Sequence, residues 1–195
     1  MKKKRFFLFT AALLAALTAT AAALQLDQRS LAGKLIRLHV VANSDSEEDQ
    51  AIKLQVRDAV LQVTEGLEKE ELSQSLPEIQ AAAEQRLREL NCRDQVTVSL
   101  REERFPTRVY DSFALPAGVY TALRVTIGAG EGHNWWCVAF PSICFRATAA
   151  DLEEAAAAAG FTTQDVALIT EANESYVLKF KTLELLEQLK LWLFQ

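Results

Sequence analysis

The stretch GVYTALRVTIGAGEGHNWWCVAF, residues 118–140, contains two apolar segments separated by a glycine-rich turn. In residues 118–127 apolar side chains recur at alternate positions, which is typical of a strand with one buried side. Three of the five residues in 128–132 are glycine, and glycine suits the positive φ angles of a turn. The chain returns from Trp135, so the stretch predicts a β-hairpin over 118–140. No Lys-Ser or Lys-Thr pair follows the glycines, which excludes a phosphate-binding loop.

Outward from this hairpin, the chain alternates between strand and helix patterns. Apolar alternation predicts strands over 34–42, 95–101 and 174–181, and helical periodicity predicts helices over 47–67, 77–90, 151–159 and 182–194. The strand over 34–42 is predicted to be half-buried, with Arg37 and His39 on the side away from the core. Gly160 is predicted to end the third helix. The order indicates an α+β fold, a single domain with helices packed on a mainly antiparallel sheet.

The N-terminus differs in composition from the rest of the chain. Residues 2–5 are all basic, and residues 6–24 carry no charge. This pattern predicts an export signal over residues 1–23, with cleavage near Ala23, although about 19 apolar residues left uncut would also anchor a chain in a bilayer. Residues 24–195 are then predicted to form a single secreted domain.

Export changes the charge balance of the domain. The signal holds 4 of the 21 basic residues and none of the 26 acidic ones, so the exported chain has 17 basic and 26 acidic residues. This acidic balance argues against binding to nucleic acid or to an anionic membrane surface, because both need basic patches. It leaves a protein partner open.

The segment NSDSEEDQ, residues 43–50, predicts a turn followed by the start of a helix. Ser44 or Ser46 is the predicted N-cap, with Glu47 or Asp49 three residues later to complete a capping box. The first four residues of the segment supply more capping groups than one helix needs, so part of them is predicted to face a partner.

Trp135 and Trp136 are neighbours on the returning strand and therefore point to opposite sides. One of them is predicted to enter the core, and the other to be exposed or partly covered. An exposed tryptophan beside a glycine turn is a good anchor for a protein interface. The alternative is that both tryptophans pack under helices.

His133, Cys137 and Cys144 carry atoms that bind zinc, but no fourth ligand is obvious and the spacing fits no standard zinc finger. His133 and Cys137 are also a nucleophile and base candidate, yet residues i and i+4 of an extended strand lie about 13 Å apart. A turn between Cys137 and Cys144 favours a disulfide between them, which leaves Cys92 as the odd thiol. We therefore predict no catalytic residue, no metal, no cofactor and no small-molecule substrate.

Two blocks of the sequence are long and specific. The first is IRLHVVANSDSEEDQAIKLQVRDAV, residues 36–60, and the second lies within 105–145 and includes PAGVYTALRVTIGAGEGHNWWCVAFPSICF. In sequence, order and separation, they resemble the stage II sporulation protein R family of endospore-forming bacteria. The resemblance covers residues 36–145. It departs at His133, where the family often has a small residue, and at Ser142, where proline is common.

The resemblance implies a signalling protein rather than an enzyme. Members of this family are made in the forespore and exported into the space facing the mother cell. There they trigger a membrane-embedded aspartic peptidase that processes the precursor of a mother-cell sigma factor. Together with the residues above, this predicts a contact surface for that peptidase. The predicted surface comprises Asn43, Ser44, Asp45, Asp49, Gln50, Arg57, Glu131, Asn134, Trp135 and Trp136.

Two other classes of function stay open from the sequence. One is a cell-envelope enzyme, either a hydrolase that uses the acidic residues within 45–49 or a thiol or metal enzyme that uses His133, Cys137 and Cys144. The other is a membrane-anchored structural factor that retains residues 1–23 as its anchor.

Overall fold

The computed structural model describes residues 2–110, 113–143, 154–157 and 159–170. In chain order the elements are α1 (Lys2–Lys34), β1 (Ile36–Val41), α2 (Glu47–Thr64), α3 (Lys69–Gln74), α4 (Leu76–Glu89), β2 (Val96–Phe105), β3 (Arg108–Val109), β4 (Ala114–Leu115), β5 (Gly118–Ile127), β6 (Asn134–Phe140) and α5 (Thr163–Thr170). Residues 154–157 are also helical. The predicted α+β class and the single domain are confirmed.

The main sheet has four strands in the order β2-β5-β1-β6. β1 runs parallel to β5 and antiparallel to β6, and β2 runs antiparallel to β5. The predicted hairpin over 118–140 is therefore wrong, because β5 and β6 lie on either side of β1 and do not pair with each other. Neighbouring strands are about 4.8 Å apart, so residues 128–133 must span roughly twice that distance across the end of β1.

β1 is buried along its whole length, at all six positions. The prediction of a half-buried strand is wrong, because β1 lies between two strands and is covered on both sides of the sheet. We call the side that carries Leu38 and Val40 the first face, and the side that carries Arg37 and His39 the second face. Apolar side chains from α2, α3 and α4 cover the first face. The end of α1, Phe113 and Leu115 at the short strand β4, and residues 156–169 contribute apolar side chains to the second face.

Capping residues, a proline and a glycine mark the ends of the helices on the first face. Ser46 is the N-cap of α2 and accepts a hydrogen bond from the backbone N–H of Asp49 at 3.1 Å, which confirms the predicted cap. α2 ends at Thr64, three residues before the predicted boundary, and Gly66 follows with φ of +82°. α4 matches its predicted range, with Pro77 in its first turn. The six-residue α3 is too short to show a helical period and was not predicted.

The C-terminal part of the described chain confirms the predicted glycine stop. Gly160 has φ of +73°, its N–H donates to Ala157 at 3.1 Å, and the N–H of Phe161 donates to Ala156 at 3.0 Å. These two bonds satisfy the last carbonyls of the preceding helix. α5 was not predicted. The strand predicted over 174–181 and the helix over 182–194 lie outside the described residues.

α1 continues through the predicted cleavage point and ends at Lys34. Near its end Leu31 and Ala32 are buried against the second face of the sheet, whereas Phe7, Leu8 and Phe9 are exposed near its start. Among the described residues, no helix has the length and hydropathy that a membrane crossing requires. The export signal, its cleavage and the boundary at residue 24 stay predictions.

Candidate functional site

The turn after β1 is joined to the loop between β5 and β6 by the side chain of Asn43. Its Oδ1 accepts the N–H of Ala129 at 2.9 Å, and its Nδ2 donates to Asp49 Oδ2 at 3.0 Å. Ser44 donates a second hydrogen bond to the same carboxylate oxygen, at 2.5 Å. Asn43 therefore links the loop to the first turn of α2.

Backbone hydrogen bonds hold the same two segments together. The N–H groups of Glu131 and Gly132 donate to the carbonyls of Asn43 and Ala42, at 3.1 and 3.0 Å. A Cβ atom on Gly132 would lie 2.2 Å from the backbone oxygen of Ser44, so this close approach requires glycine. We call residues 43–50 and 128–134 together the loop cluster.

Asp45 and Lys53 fix the far end of the loop at His133. Asp45 accepts the backbone N–H of His133 at 2.6 Å and also contacts its imidazole Nδ1. Lys53 Nζ donates to the carbonyl of His133 at 2.9 Å and to the Gln50 side chain. Burial lowers the pKa of Lys53, the charge of Asp45 opposes this effect, and the charge of Arg57 adds to it. The loop is thus anchored at its start, middle and end.

Seven of the ten predicted contact residues lie in the loop cluster, where they divide into two groups. Asn43, Ser44, Asp49 and Gln50 use their polar groups within the loop cluster, where Gln50 Nε2 donates to the carbonyl of Ser44 at 2.8 Å. Asn43 and Ser44 are two of the surplus capping groups at 43–46. Asn43 attaches the loop, and both side chains donate to Asp49. The exposed members are Asp45, Glu131 and Asn134. Their role in binding a partner stays a prediction.

Asp49, one of the acidic residues within 45–49, does not have the electrostatics of a general acid. Hydrogen bonds from Ser44 and Asn43 hold the pKa of Asp49 below its ordinary value, so its carboxyl group stays ionised at neutral pH. A glycosidase-type acid needs the opposite shift. Glu47 and Glu48 are exposed in the first turn of α2, where the helix dipole favours negative charge.

The two tryptophans lie on opposite faces of the sheet, as predicted, and both are partly buried. The guanidinium of Arg57 lies 4.3 Å from the ring centroid of Trp135, and that of Arg108 lies 3.8 Å from the ring of Trp136. Trp136 also stacks on His39, with 5.6 Å between ring centroids. Each tryptophan is covered by an arginine, so neither is a fully exposed anchor.

Glu103 collects three cationic or hydrogen-bonding side chains on the second face. Its carboxylate pairs with His39 Nδ1 at 2.5 Å, Arg101 Nε at 2.6 Å and Arg124 Nη1 at 3.2 Å. Burial alone would raise the pKa of Glu103, but the hydrogen bonds from His39 and Arg101 and the charges of His39 and Arg124 bring it below its ordinary value. The other imidazole nitrogen of His39 lies 2.9 Å from Asn134 Oδ1. The sequence analysis did not predict this group.

Arg37 is completely buried on the second face. Its guanidinium lies 4.3 Å from the ring centroid of Phe105 and 5.1 Å from that of Tyr120, and Nη2 donates to the hydroxyl of Tyr110 at 2.9 Å. Burial raises the pKa of Tyr120 to about 12. Nη1 of Arg37 has no hydrogen-bond partner among the described residues.

The thiol and metal alternatives gain no geometric support in the described part of the chain. Cys92 is a free thiol, and Cys137 is buried in the apolar core on the first face of the sheet. His133 is exposed and contacts Asp45. Within residues 2–110, 113–143, 154–157 and 159–170, no three His, Cys, Asp or Glu side chains form a group that could hold a metal ion. Cys144 lies outside these residues, so the Cys137–Cys144 bridge stays a prediction.

A groove of about 870 Å³ lies between α2 and α4. Glutamine and ionisable side chains line most of it, and Glu89 at its rim is ion-paired with Arg86 at 2.8 Å. The hydrogen bond from Arg86, followed by that from Gln85, lowers the pKa of Glu89. A carboxylate that stays ionised in an open groove is typical of a solvated helix surface rather than of a proton donor.

The geometry describes an α+β domain with an anchored loop and two tryptophans that are each covered by an arginine. The family model of stage II sporulation protein R (spore_II_R) matches residues 32–150, and the chain belongs to this family. The resemblance seen in the sequence is thereby confirmed, and it supports a role in sporulation.

A curated relative gives the same result. The stage II sporulation protein R of Bacillus subtilis (strain 168) is 38% identical to the chain over 119 residues, which cover 56% of this chain and 53% of the relative. The match therefore spans about half the length of that relative. No solved structure matches the chain.

Proposed function

We propose that the chain is an exported signalling protein of sporulation. It binds the outer face of a membrane-embedded aspartic peptidase and activates it to process the precursor of a mother-cell sigma factor. The observation that carries this proposal is family membership over residues 32–150. The basic and apolar N-terminal segment supports export, because it has the composition of a signal peptide.

The loop cluster supports binding by a preformed surface. A ligand shifts a partner between two states only if it binds one of them more tightly. A surface that is ordered before binding loses less conformational entropy on association. Asn43, Asp45 and Lys53 hold the loop in one arrangement, so the exposed groups of Glu131 and Asn134 are presented at fixed positions.

Co-expression tests the proposal directly. The chain is produced together with the peptidase and the sigma-factor precursor, and precursor cleavage is followed by immunoblot. We expect cleavage only when the chain is present with residues 1–23. Full cleavage with a version that lacks these residues and stays in the cytosol would contradict the proposal, as would cleavage of the precursor by the purified chain itself.

Substitutions in the loop cluster test the contact surface. Asp45→Asn combined with Asn134→Ala is expected to reduce cleavage by about tenfold or more, since it weakens the anchor of the loop at His133 and removes an exposed polar group beside it. Glu84→Gln on the exposed side of α4 is the matched control and is expected to leave cleavage unchanged. Equal abundance of the variants is checked on the same blot. Normal cleavage by the double variant would remove the loop cluster as the contact surface.

A further inference from the structure

We propose that the second face of the sheet carries a docking surface for a carboxylate-rich segment of a protein partner, centred on Trp136 and Arg108. If that partner is the peptidase, the inference rests on the proposed function. The surface, which we call the arginine face, is distinct from the polar contacts of the loop cluster, although Asn134 borders both. Its members are His39, Arg101, Glu103, Arg108, Arg124 and Trp136.

The arginine face is a continuous row of contacts. Arg101 and Arg124 both bond the carboxylate of Glu103, and Arg124 Nη1 lies 3.2 Å from His39 Nδ1. His39 stacks on one side of Trp136, and the Arg108 guanidinium lies 3.8 Å from the ring centroid. Register pairing places Ser99, Arg124, His39 and Trp136 side by side on β2, β5, β1 and β6. Three strand spacings give this row a width of about 14 Å.

Cationic groups are in excess along this row. Among the described residues, Glu103 is the carboxylate that pairs with Arg101, Arg124 and His39, and none of the ion pairs of this region includes Arg108 or Arg37. The Nε of Arg108 and the Nη1 of Arg37 are buried and have no hydrogen-bond partner within the described residues. Arg108 as a residue is only partly buried, and it has no ion pair within the described residues, so an incoming carboxylate would supply the charge-assisted partner that it lacks.

The opposite side of the molecule has the opposite charge. Residues 47–89, which form the helical layer on the first face, contain eleven acidic and five basic residues, within a chain of net charge −5. Interactions between exposed charges are largely screened beyond about 8 Å in physiological salt. A carboxylate that approaches the arginine face therefore responds to its local positive charge, whereas the helical layer repels it. The two sides give the docking partner only one favourable orientation.

The chemistry fits a protein segment better than a free anion. Arginine and tryptophan are enriched in protein interfaces, and their combination provides both a charged fork and a flat apolar contact. The side chain of Arg101 is 52% exposed and that of Arg124 is 23% exposed, so carboxylates can reach both from solvent. An extended segment with several carboxylates would span the row, whereas a single small anion would contact only one end of it.

Fluorescence anisotropy with a labelled oligo-glutamate peptide tests this inference on the full chain. We expect the wild-type chain to bind the peptide and an oligo-lysine peptide not to bind. Arg101→Glu and Arg108→Glu are each expected to weaken binding by about tenfold or more. Arg88→Glu, an exposed arginine on α4, is the matched control and is expected to leave binding unchanged. Thermal unfolding checks the fold of each variant, and Arg101→Glu keeps the test decisive if Arg108→Glu unfolds.

Three results of this experiment would overturn the inference. The first is no binding of oligo-glutamate to the wild-type chain. The second is displacement of the peptide by inorganic phosphate at equal concentration of charge, which would indicate a simple anion site. The third is binding of the wild-type chain to phosphatidylglycerol vesicles that Arg101→Glu abolishes without affecting peptide binding, which would indicate a lipid surface.

The co-expression assay then separates failure of this inference from failure of the proposed function. If the wild-type chain promotes precursor cleavage and Arg101→Glu or Arg108→Glu reduces it by about tenfold while Arg88→Glu does not, the arginine face docks the peptidase. If the wild-type chain promotes cleavage and the folded Arg101→Glu and Arg108→Glu variants do so equally, the inference fails and the proposed function stands. If the wild-type chain promotes no cleavage, the proposed function fails, and the peptide experiment alone decides the docking surface.

Discussion

The two faces of the sheet are organised by different interactions, although both are built on the same central strand. On the first face, Leu38 and Val40 pack in an apolar core under α2 and α4. On the second face, Arg37 and His39 alternate with them and contact aromatic rings and polar groups. Apolar packing is non-directional and tolerates exchange of similar side chains, whereas hydrogen bonds and cation–π contacts require particular groups at particular positions. The first face is therefore organised by apolar packing, whereas the second face combines an apolar core with positioned charged and aromatic groups, on which the proposed recognition rests.

The largest expected effect compares neighbouring residues of β1 on opposite faces. Leu38→Ala is expected to lower the free energy of unfolding by about 3 kcal/mol, because it leaves a cavity in a packed core. Arg37→Met keeps most of the volume and removes a buried charge, so its expected change is within about 1 kcal/mol. Urea denaturation followed by circular dichroism measures both. If Arg37→Met loses as much as Leu38→Ala, the guanidinium stabilises the fold and the proposed division between the faces is wrong.

A smaller effect, and one that depends on pH, is expected for Glu103→Gln on the second face. The folded-state pKa of Glu103 lies below the ordinary 4.5, so the ionised carboxylate stabilises the fold fully above about pH 4.5 and loses this contribution as the pH falls through the folded-state value. The variant is expected to be less stable than the wild-type chain by about 2 kcal/mol at pH 7, with the difference shrinking at acid pH. Urea titrations from pH 3 to pH 7, roughly the range in which carboxylates titrate, measure it.

Glu84→Gln on the exposed side of α4 is the control for this measurement. It is expected to change the free energy of unfolding at pH 7 by less than about 0.5 kcal/mol. If the free energies of unfolding of Glu103→Gln and the wild-type chain differ by the same amount at every pH, the charge of Glu103 does not stabilise the second face.

On the first face, Gln80 of α4 is expected to make a contribution of about 1 kcal/mol. Its amide donates to the carbonyl of Val96 at 2.6 Å and accepts the N–H of Val98 at 2.8 Å, and so occupies the outer edge of β2. Gln80→Ala removes both bonds, and the open strand edge is expected to favour association between chains. Unfolding and light scattering are compared with Gln85→Ala, an exposed neighbour expected to change neither. No difference between the two variants would show that the edge contact is incidental.

The smallest effect concerns thiol reactivity rather than stability. Burial raises the pKa of Cys92, so its thiol is expected to react slowly with iodoacetamide at neutral pH in the native chain and readily in denaturant. If the predicted Cys137–Cys144 bridge forms, denaturant without reductant exposes one thiol, and reductant exposes three. Three thiols without reductant would exclude the bridge. Rapid native labelling of Cys92 would show that this edge of the first face is more open than described.

The ends of helices could be predicted from the sequence, because they depend on residues that are close together in the chain. The Ser46 cap, the Pro77 helix start and the Gly160 stop follow from side-chain preferences within one turn. The strands β1, β2 and β5 were also located by their alternation, and β6 was located as the strand that returns from the glycine-rich turn. Family membership was predicted for the same reason, since it rests on contiguous motifs.

The pairing of the strands could not be predicted from the sequence. A glycine-rich connection between two strands has the same local pattern whether the strands pair directly or flank a third strand. Residue 132 must be glycine because a side chain there would collide with the backbone of Ser44, which is distant in sequence. The role of Asn43 in holding the loop likewise depends on a contact that is distant in sequence, with Ala129. Arg37 and His39 were placed away from the core because alternation shows only that two sides differ, not that both are covered.

The strand order has a consequence for how the chain acquires its structure. Ile36 pairs with Thr121 on one side and with Phe140 on the other, so the most buried strand is synthesised long before either neighbour. Contacts between residues so distant in sequence slow folding, since a long loop must close before they form. A nascent chain therefore has no sheet to fold into until nearly all of the family region has emerged. Such a delay is compatible with the proposed export, because a chain that folded early would be trapped in a narrow translocation channel.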